Sequence, residues 1–205
     1  MNSAKNLRLW LVVAAAVLLA AGLGWMRFGA DAPPAGNLAG ASLGGAFTLI
    51  DQDGKTVRES DFAGRYRLIY FGYGFCPDVC PNDLALIGRG LKAFEAASPD
   101  LGRSVAPIFI TIDPQRDTPA VLSPFVAAFH PRLVGLTGTA QQIAAVMKAY
   151  GVYAKRMDTS DPQNYLMDHS AMVYLYGPAG RPIAFLPHLG LTADMVTQML
   201  ASHVR

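Results

Sequence analysis

Two cysteines, Cys76 and Cys80, stand four positions apart in a chain of 205 residues that holds no other. They lie in the stretch Phe71-Gly72-Tyr73-Gly74-Phe75-Cys76-Pro77-Asp78-Val79-Cys80-Pro81. The apolar run Arg67-Leu68-Ile69-Tyr70-Phe71 leads in as a strand, and a helix-like run from Asp83 to Ala97 leads out. Both sulfurs therefore fall where a strand ends and a helix begins. Free backbone N–H groups and the helix dipole favour negative charge there, which lowers thiol pKa values and makes thiolates available. A thiolate so placed can attack a sulfur or oxygen centre, or it can bind a soft metal. Two cysteines are too few for a disulfide-stapled scaffold. A bridge between them would close a loop too small to remove much unfolded-state entropy. The pair reads as chemical rather than structural.

A CxxxC pair has one residue more than CxxC, which widens the loop enough for both sulfurs to face one ion. Two thiolates suit copper(I), zinc or an iron–sulfur cluster. A four-cysteine cluster is impossible within one such chain, and zinc usually takes four ligands. Copper(I) accepts two or three, so one histidine could complete the site. The candidates are His130, His169, His188 and His203. His203 falls at the end of a helix and is expected to face solvent. His130 precedes Pro131 at another helix end, where a capping role is the simpler reading. His188 follows a hairpin strand with no acid beside it. His169 lies between Asp168 and Ser170, just before a strand expected inside the sheet, which raises it above the other three.

Positioning these groups requires a folded body and a place for it. Leu7 to Met26 is apolar throughout, with Arg8 the only charge. Leu9 to Met26 alone is long enough to span a bilayer, which takes about 17–20 residues. Lys5 and Arg8 precede this core, so the positive-inside rule keeps the N-terminus cytoplasmic and sends the body across. The apolar core exceeds a usual signal-peptide core, although Ala30-Asp31-Ala32 offers a small-x-small pattern for cleavage. The expected organisation is a cytoplasmic N-terminus over 1–6, a transmembrane anchor over 7–27, a flexible Gly/Ala/Pro tether over 28–45 and one domain over 46–205. Setting the three N-terminal cations Lys5, Arg8 and Arg27 aside from the 17 Lys and Arg leaves 14 against 15 Asp and Glu. The body is near neutral and has no basic run, which argues against nucleic acid as a partner.

Within the body, Asp51-Gln52-Asp53-Gly54 joins two short strands as a hairpin. Tyr66 to Tyr73 is continuously apolar or aromatic, as in a central strand covered on both faces. Pro81 suits the first position of the following helix, with Cys80 as its N-cap. Ser104 to Ile112 reads as a second strand, although Pro107 interrupts it. Thr118, Thr139 and Thr192 are placed to cap three further helices. Ala171 to Tyr176 and Pro182 to Leu186 form a closing hairpin. Strands alternating with helices predict an α/β layer with a mixed sheet.

Gly72 to Pro81, Ile112-Asp113-Pro114-Gln115-Arg116-Asp117-Thr118-Pro119 and Asp168-His169-Ser170 are three separated motifs. In these motifs and their order the chain resembles the SCO/SenC family of membrane-anchored copper chaperones. Phe129-His130-Pro131 and Gly135-Leu136-Thr137-Gly138-Thr139 are similar to further stretches of the family. The resemblance implies a thioredoxin-like fold and copper held by Cys76, Cys80 and His169, as copper(I) first and copper(II) as an alternative. It also implies delivery to the binuclear copper centre of cytochrome c oxidase subunit II, with a periplasmic copper donor or thiol reductant upstream. The location would be a bacterial-type inner membrane, single-pass with the domain on the periplasmic side, or the mitochondrial inner-membrane equivalent. Asp78 and Asp113 match acidic positions of the motifs. Around the ligands, Asp78 is expected to tune site charge, Asp113 and Arg116 to organise a loop through a salt bridge, and Asp168 to flank His169.

Two rival chemistries share that fold. Cys76 and Cys80 could cycle through a disulfide, making the chain a thiol–disulfide oxidoreductase that keeps a partner's copper-site cysteines reduced. Against it, the spacing is not CxxC, and His169-Ser170 stands where thioredoxins place a proline. A peroxidase of the peroxiredoxin type usually carries Thr or Ser three residues before its cysteine, where this chain has Tyr73.

Overall fold

The computed structural model describes residues 35–157 and 164–205, together with positions 10, 11, 13, 14, 17 and 18. The chain divides into two compact units, Met1–Pro34 and Ala35–Arg205. Among the described residues no helix is long and apolar enough to cross a membrane. The anchor expected over 7–27 lies largely outside the described residues.

The central strands are β4 (Tyr66–Gly72) and β5 (Val105–Thr111), parallel to each other in register from Tyr66↔Val105 to Gly72↔Thr111. Every residue of both is buried, which is why both read as continuous apolar runs rather than alternating ones. Pro107 is tolerated inside β5 because β6 (Val134–Thr137) begins pairing one residue later, at Ile108↔Val134. At Pro107 the strand has a partner on one side only, so the missing N–H need not break a ladder.

The other strands complete an eight-stranded mixed sheet in the order β1-β10-β9-β4-β5-β6-β2-β3. Here β1 is Gly36–Asn37, β2 Thr48–Asp51, β3 Thr56–Arg58, β9 Met172–Tyr176 and β10 Pro182–Pro187. The β2–β3 hairpin and the β9–β10 hairpin are antiparallel, as their turn residues predict. β1 falls inside the stretch expected to be tether. Gly36 pairs with Phe185 and Asn37 with Ala184, and Gly44 N donates to the Ala149 carbonyl at 2.8 Å. The folded unit thus starts at Ala35.

The helices are α1 (Val79–Ala97), α2 (Pro99–Arg103), α3 (Pro119–Ala127), α4 (Ala140–Ala149) and α5 (Ala193–His203). Thr139 and Thr192 cap α4 and α5 by accepting from Gln142 N and Met195 N, both at 3.2 Å. Thr118 precedes Pro119 in extended conformation but makes no such side-chain bond. α1 and α5 pack closely at Gly90, where a Cβ would stand 2.5 Å from the Ala193 carbonyl oxygen.

The start of α1 differs from expectation. The helix begins at Val79 with Asp78 before it, so Cys80 is the second helical residue and Pro81 the third. No N–H in the first turn has an intrahelical acceptor, so proline fits its third position as well as its first. The shift places Cys80 inside the helix rather than at its cap.

Candidate metal centre

Cys76 lies in the loop between β4 and α1, half-buried, whereas Cys80 is fully buried in the first turn of α1. Both thiols are free. The Cys80 backbone N–H donates to Cys76 Sγ at 3.4 Å, so the Cys76 sulfur occupies the anion position at a helix N-terminus. The Cys80 thiol, then the backbone N–H groups of Cys80 and Asp78 and the Tyr73 hydroxyl, hydrogen-bond to Cys76 and bring its pKa down to about 5 against the opposing effect of burial. Cys80 is pushed up by the same shared hydrogen and by burial. The two thiols lose their protons as a pair, and the first negative charge is favoured on Cys76.

His169 is brought in by a different pair of strands. It sits on β8 (Met167–His169), which pairs antiparallel with β7 (Ala154–Arg156) in a separate two-stranded sheet with Ala154 opposite His169. The Tyr73 hydroxyl accepts from Met167 N at 3.3 Å, and the Tyr73 ring meets the His169 ring edge-on, centroids 5.9 Å apart. Tyr73 therefore ties the hairpin carrying His169 to the loop carrying Cys76. His169 Nδ1 lies 3.0 Å from the Ser170 carbonyl oxygen. A carbonyl only accepts, so Nδ1 bears the hydrogen and Nε2 keeps its lone pair. That Nε2 faces Cys80 Sγ at 3.7 Å.

With bond lengths of about 2.3 Å to sulfur and about 2.0 Å to nitrogen, two ligands at 120° on one ion stand about 3.7 Å apart. Cys80 and His169 have the separation of two donors in a trigonal site. Among the described residues no three His, Cys, Asp or Glu side chains are already gathered into a metal cluster. Half-exposed Cys76 is the donor with room to turn onto a shared ion.

The acidic residues named from the sequence take different places. Asp113 and Arg116 form the expected ion pair, Arg116 Nε donating to Asp113 Oδ2 at 2.6 Å. The same carboxylate accepts from Tyr165 Oη at 2.7 Å, and the Arg116 guanidinium lies 3.6 Å from the Tyr165 ring and 5.0 Å from that of Phe75. This cluster joins the loop after β5 to the segment leading into His169 and to the cysteine loop. Asp78 is exposed and accepts from Asn82 Nδ2 at 2.6 Å. Asp168 is exposed on the groove beside His169, opposite Lys155 in register.

Two contributors escaped the sequence. Asp117, fully buried, accepts from Gly74 N at 2.9 Å and from Thr111 Oγ1 at 2.5 Å, so it pins the backbone ahead of Cys76; burial raises its pKa. Asp83 is buried, accepts from Tyr70 Oη at 2.9 Å, and meets His188 Nδ1 at 2.9 Å. His188 thus has an acid beside it, contrary to the reading of its local sequence, because the partner lies 105 positions away. The other histidines are structural. Buried His130 stands 3.4 Å from Glu95 and accepts from Arg132 N at 3.2 Å, and His203 Nδ1 donates to the Met199 carbonyl at 2.8 Å.

Comparison with known proteins follows the same lines. A sequence model of the SCO1/SenC family matches residues 35–205. The mitochondrial SCO2 homolog of Bos taurus is 41% identical over 160 residues, covering 78% of this chain and 59% of that protein. Protein SenC of Rhodobacter capsulatus is 44% identical over 140 residues, covering 68% of this chain and 61% of that protein. The chain thus spans about three fifths of the length of these relatives. The structure of Bradyrhizobium japonicum ScoI with copper bound matches at TM-score 0.70 and 40% identity, covering 78% of this chain and 99% of that one.

Proposed function

The chain belongs to the SCO1/SenC family, a family of cytochrome c oxidase assembly proteins, and from that premise we propose that it is a copper chaperone. It binds copper(I) through Cys76, Cys80 and His169 and delivers it to the binuclear copper centre of cytochrome c oxidase subunit II. The observation that carries this reading is the Cys80 Sγ to His169 Nε2 separation of 3.7 Å beside a second free thiol. The copper-bound ScoI structure supports the same cargo.

Two thiolates and a neutral imidazole give a copper(I) complex one net negative charge. A three-coordinate ion leaves room for an incoming ligand, so copper can pass between proteins through shared ligands and never be free. The groove over the site, about 380 Å³ and bordered by Cys76, Asp78 and His169, gives a partner segment room to approach. The anchor read at 7–27 holds the domain at a bacterial-type inner membrane on its periplasmic side, or at the mitochondrial equivalent. A copper donor or thiol reductant in the same compartment supplies it.

The thiol–disulfide reading keeps a specific observation in its favour, a half-exposed Cys76 whose sulfur accepts from the Cys80 backbone N–H at 3.4 Å, which favours its thiolate. Cys76 would attack a partner disulfide, and Cys80 would release its proton and resolve the mixed disulfide, leaving a Cys76–Cys80 disulfide and a reduced partner. One experiment separates the two. The copper(I)-loaded chain is mixed with reduced, metal-free subunit II, and the reduced metal-free chain with subunit II whose copper-site cysteines are disulfide-bonded. Copper transfer in the first mixture supports the chaperone. Partner reduction in the second without transfer in the first replaces it by the reductase.

A further inference from the structure

We infer that His188 is a second imidazole ligand that the site recruits when its copper is divalent. The inference rests on the copper reading above and extends it to a residue outside the Cys76, Cys80 and His169 set.

His188 borders the same groove as Cys76, Asp78, Met167 and His169. Its backbone N donates to the Ala171 carbonyl at 3.1 Å, two residues after His169, so the residue that follows β10 lies beside the link from β8 to β9, and His169 and His188 come close along the backbone there. Its ring is held from behind. Nδ1 lies 2.9 Å and 3.0 Å from the two carboxylate oxygens of Asp83, whose side chain is 2% exposed. An ionised carboxylate only accepts, so Nδ1 carries the hydrogen and Nε2 keeps its lone pair. With Nδ1 turned to the buried acid, Nε2 is the ring nitrogen left free of that contact, and the His188 side chain, which borders the groove, is 36% exposed. Histidines that bind metals commonly donate their other ring hydrogen to a carboxylate, which fixes tautomer and orientation.

Asp83 is itself tied to the thiol site. It lies three residues after Cys80 on α1, on the same face of the helix, and its second donor is Tyr70 Oη at 2.9 Å. The acid that orients His188 is thus one helical turn from a copper ligand.

The chemistry of the ion selects among the groove's donors. Copper(I) is satisfied by two thiolates and one imidazole. Copper(II) favours a tetragonal set and takes nitrogen or oxygen as the further donor. Met167 offers a thioether, which suits copper(I). Asp78 offers oxygen, but its Oδ1 is already engaged by Asn82 at 2.6 Å. Two thiolates neutralise copper(II), so a neutral imidazole completes the site without added charge. His188 is the donor of that type in the groove beyond His169.

The test uses the reduced 205-residue chain in detergent, with one equivalent of copper(II), frozen promptly and studied by pulsed electron paramagnetic resonance. Modulation from remote ring nitrogens counts bound imidazoles. Two are expected in the unsubstituted chain and one in His188→Gln, with copper(II) bound more weakly in the variant. Copper(I) stoichiometry of one per chain is expected in both proteins, which also shows that the variant folds. One imidazole in the unsubstituted chain, two in His188→Gln, or no retained copper(II) overturns the inference. Failure of the unsubstituted chain to hold copper(I) would instead overturn the chaperone reading, and this inference with it.

Discussion

Cys80 Sγ stands 3.7 Å from His169 Nε2 although 89 positions separate them in the chain. Two rigid supports make that contact. The first turn of α1 fixes Cys80, and Tyr73 fixes the β7–β8 hairpin by accepting from Met167 N and packing against the His169 ring. The relation between a buried thiol and an imidazole of set tautomer is the feature that turns a cysteine pair into a three-donor site.

Charge sharing between the thiols predicts unequal reactivity. Hydrogen bonds to the charged form of Cys76 stabilise its thiolate, so its pKa falls from 9.0 to about 5. Alkylation of the reduced chain by iodoacetamide should therefore be confined to Cys76 at neutral pH. Its rate should fall away only as pH drops through about 5. Mass mapping of modified peptides across pH checks this. A Cys76 midpoint near that of an ordinary thiol would contradict it.

The Asp113–Tyr165 hydrogen bond should be felt at a distance. Tyr165→Phe keeps the ring beside Arg116 but leaves Asp113 Oδ1 without its 2.7 Å donor. A buried acceptor left unpaired costs about 1–3 kcal/mol. Denaturant titration should show that loss, and copper(I) competition should show affinity reduced by roughly tenfold, since this segment leads into His169.

Asp117 should tolerate Asn far better than Ala. Oδ2 accepts from Gly74 N and Thr111 Oγ1, and an amide oxygen can replace it. Asp117→Ala strands both donors, with an expected loss of about 1–3 kcal/mol. Gly74→Ala should also destabilise, because its Cβ would stand 2.9 Å from Asp117 Oδ1. Thermal unfolding of the three variants ranks them, and equal loss in Asn and Ala would discount the hydrogen bonds.

The short strand β1 belongs to the folded unit. A chain beginning at residue 40 should be less stable than one beginning at residue 35. The pairing with Phe185 and Ala184 and the Leu38 N to Ile183 O bond of 2.9 Å are lost. Two or three backbone hydrogen bonds are worth about 1–3 kcal/mol. Equal urea midpoints would show that β1 contributes nothing.

The sequence carried the central strand, the cysteine loop and the closing β9–β10 hairpin, because each has a local pattern: an apolar run, a paired thiol, turn residues. It carried the Asp113–Arg116 pair because the two are three positions apart. It did not carry β1, since Gly36-Asn37 has no strand pattern and pairs only because β10 offers an open edge. Nor did it carry the Asp83–His188 contact, which depends on α1 and β10 converging across 105 positions. The misplaced start of α1 has a simple cause. Proline is acceptable anywhere in a first helical turn, so Pro81 alone could not fix the register of Cys80.

The measurement that bears most directly on the three-donor site is copper(I) competition on the reduced chain, with X-ray absorption counting neighbours, beside His169→Ala. The account predicts one copper per chain bound by two sulfurs and one nitrogen. In His169→Ala the nitrogen is lost and affinity falls by more than about 100-fold, beyond the usual effect of an outer partner, while the Cys76–Cys80 disulfide still forms on oxidation. Unchanged affinity and an unchanged nitrogen count in that variant would remove His169 from the site and contradict the account.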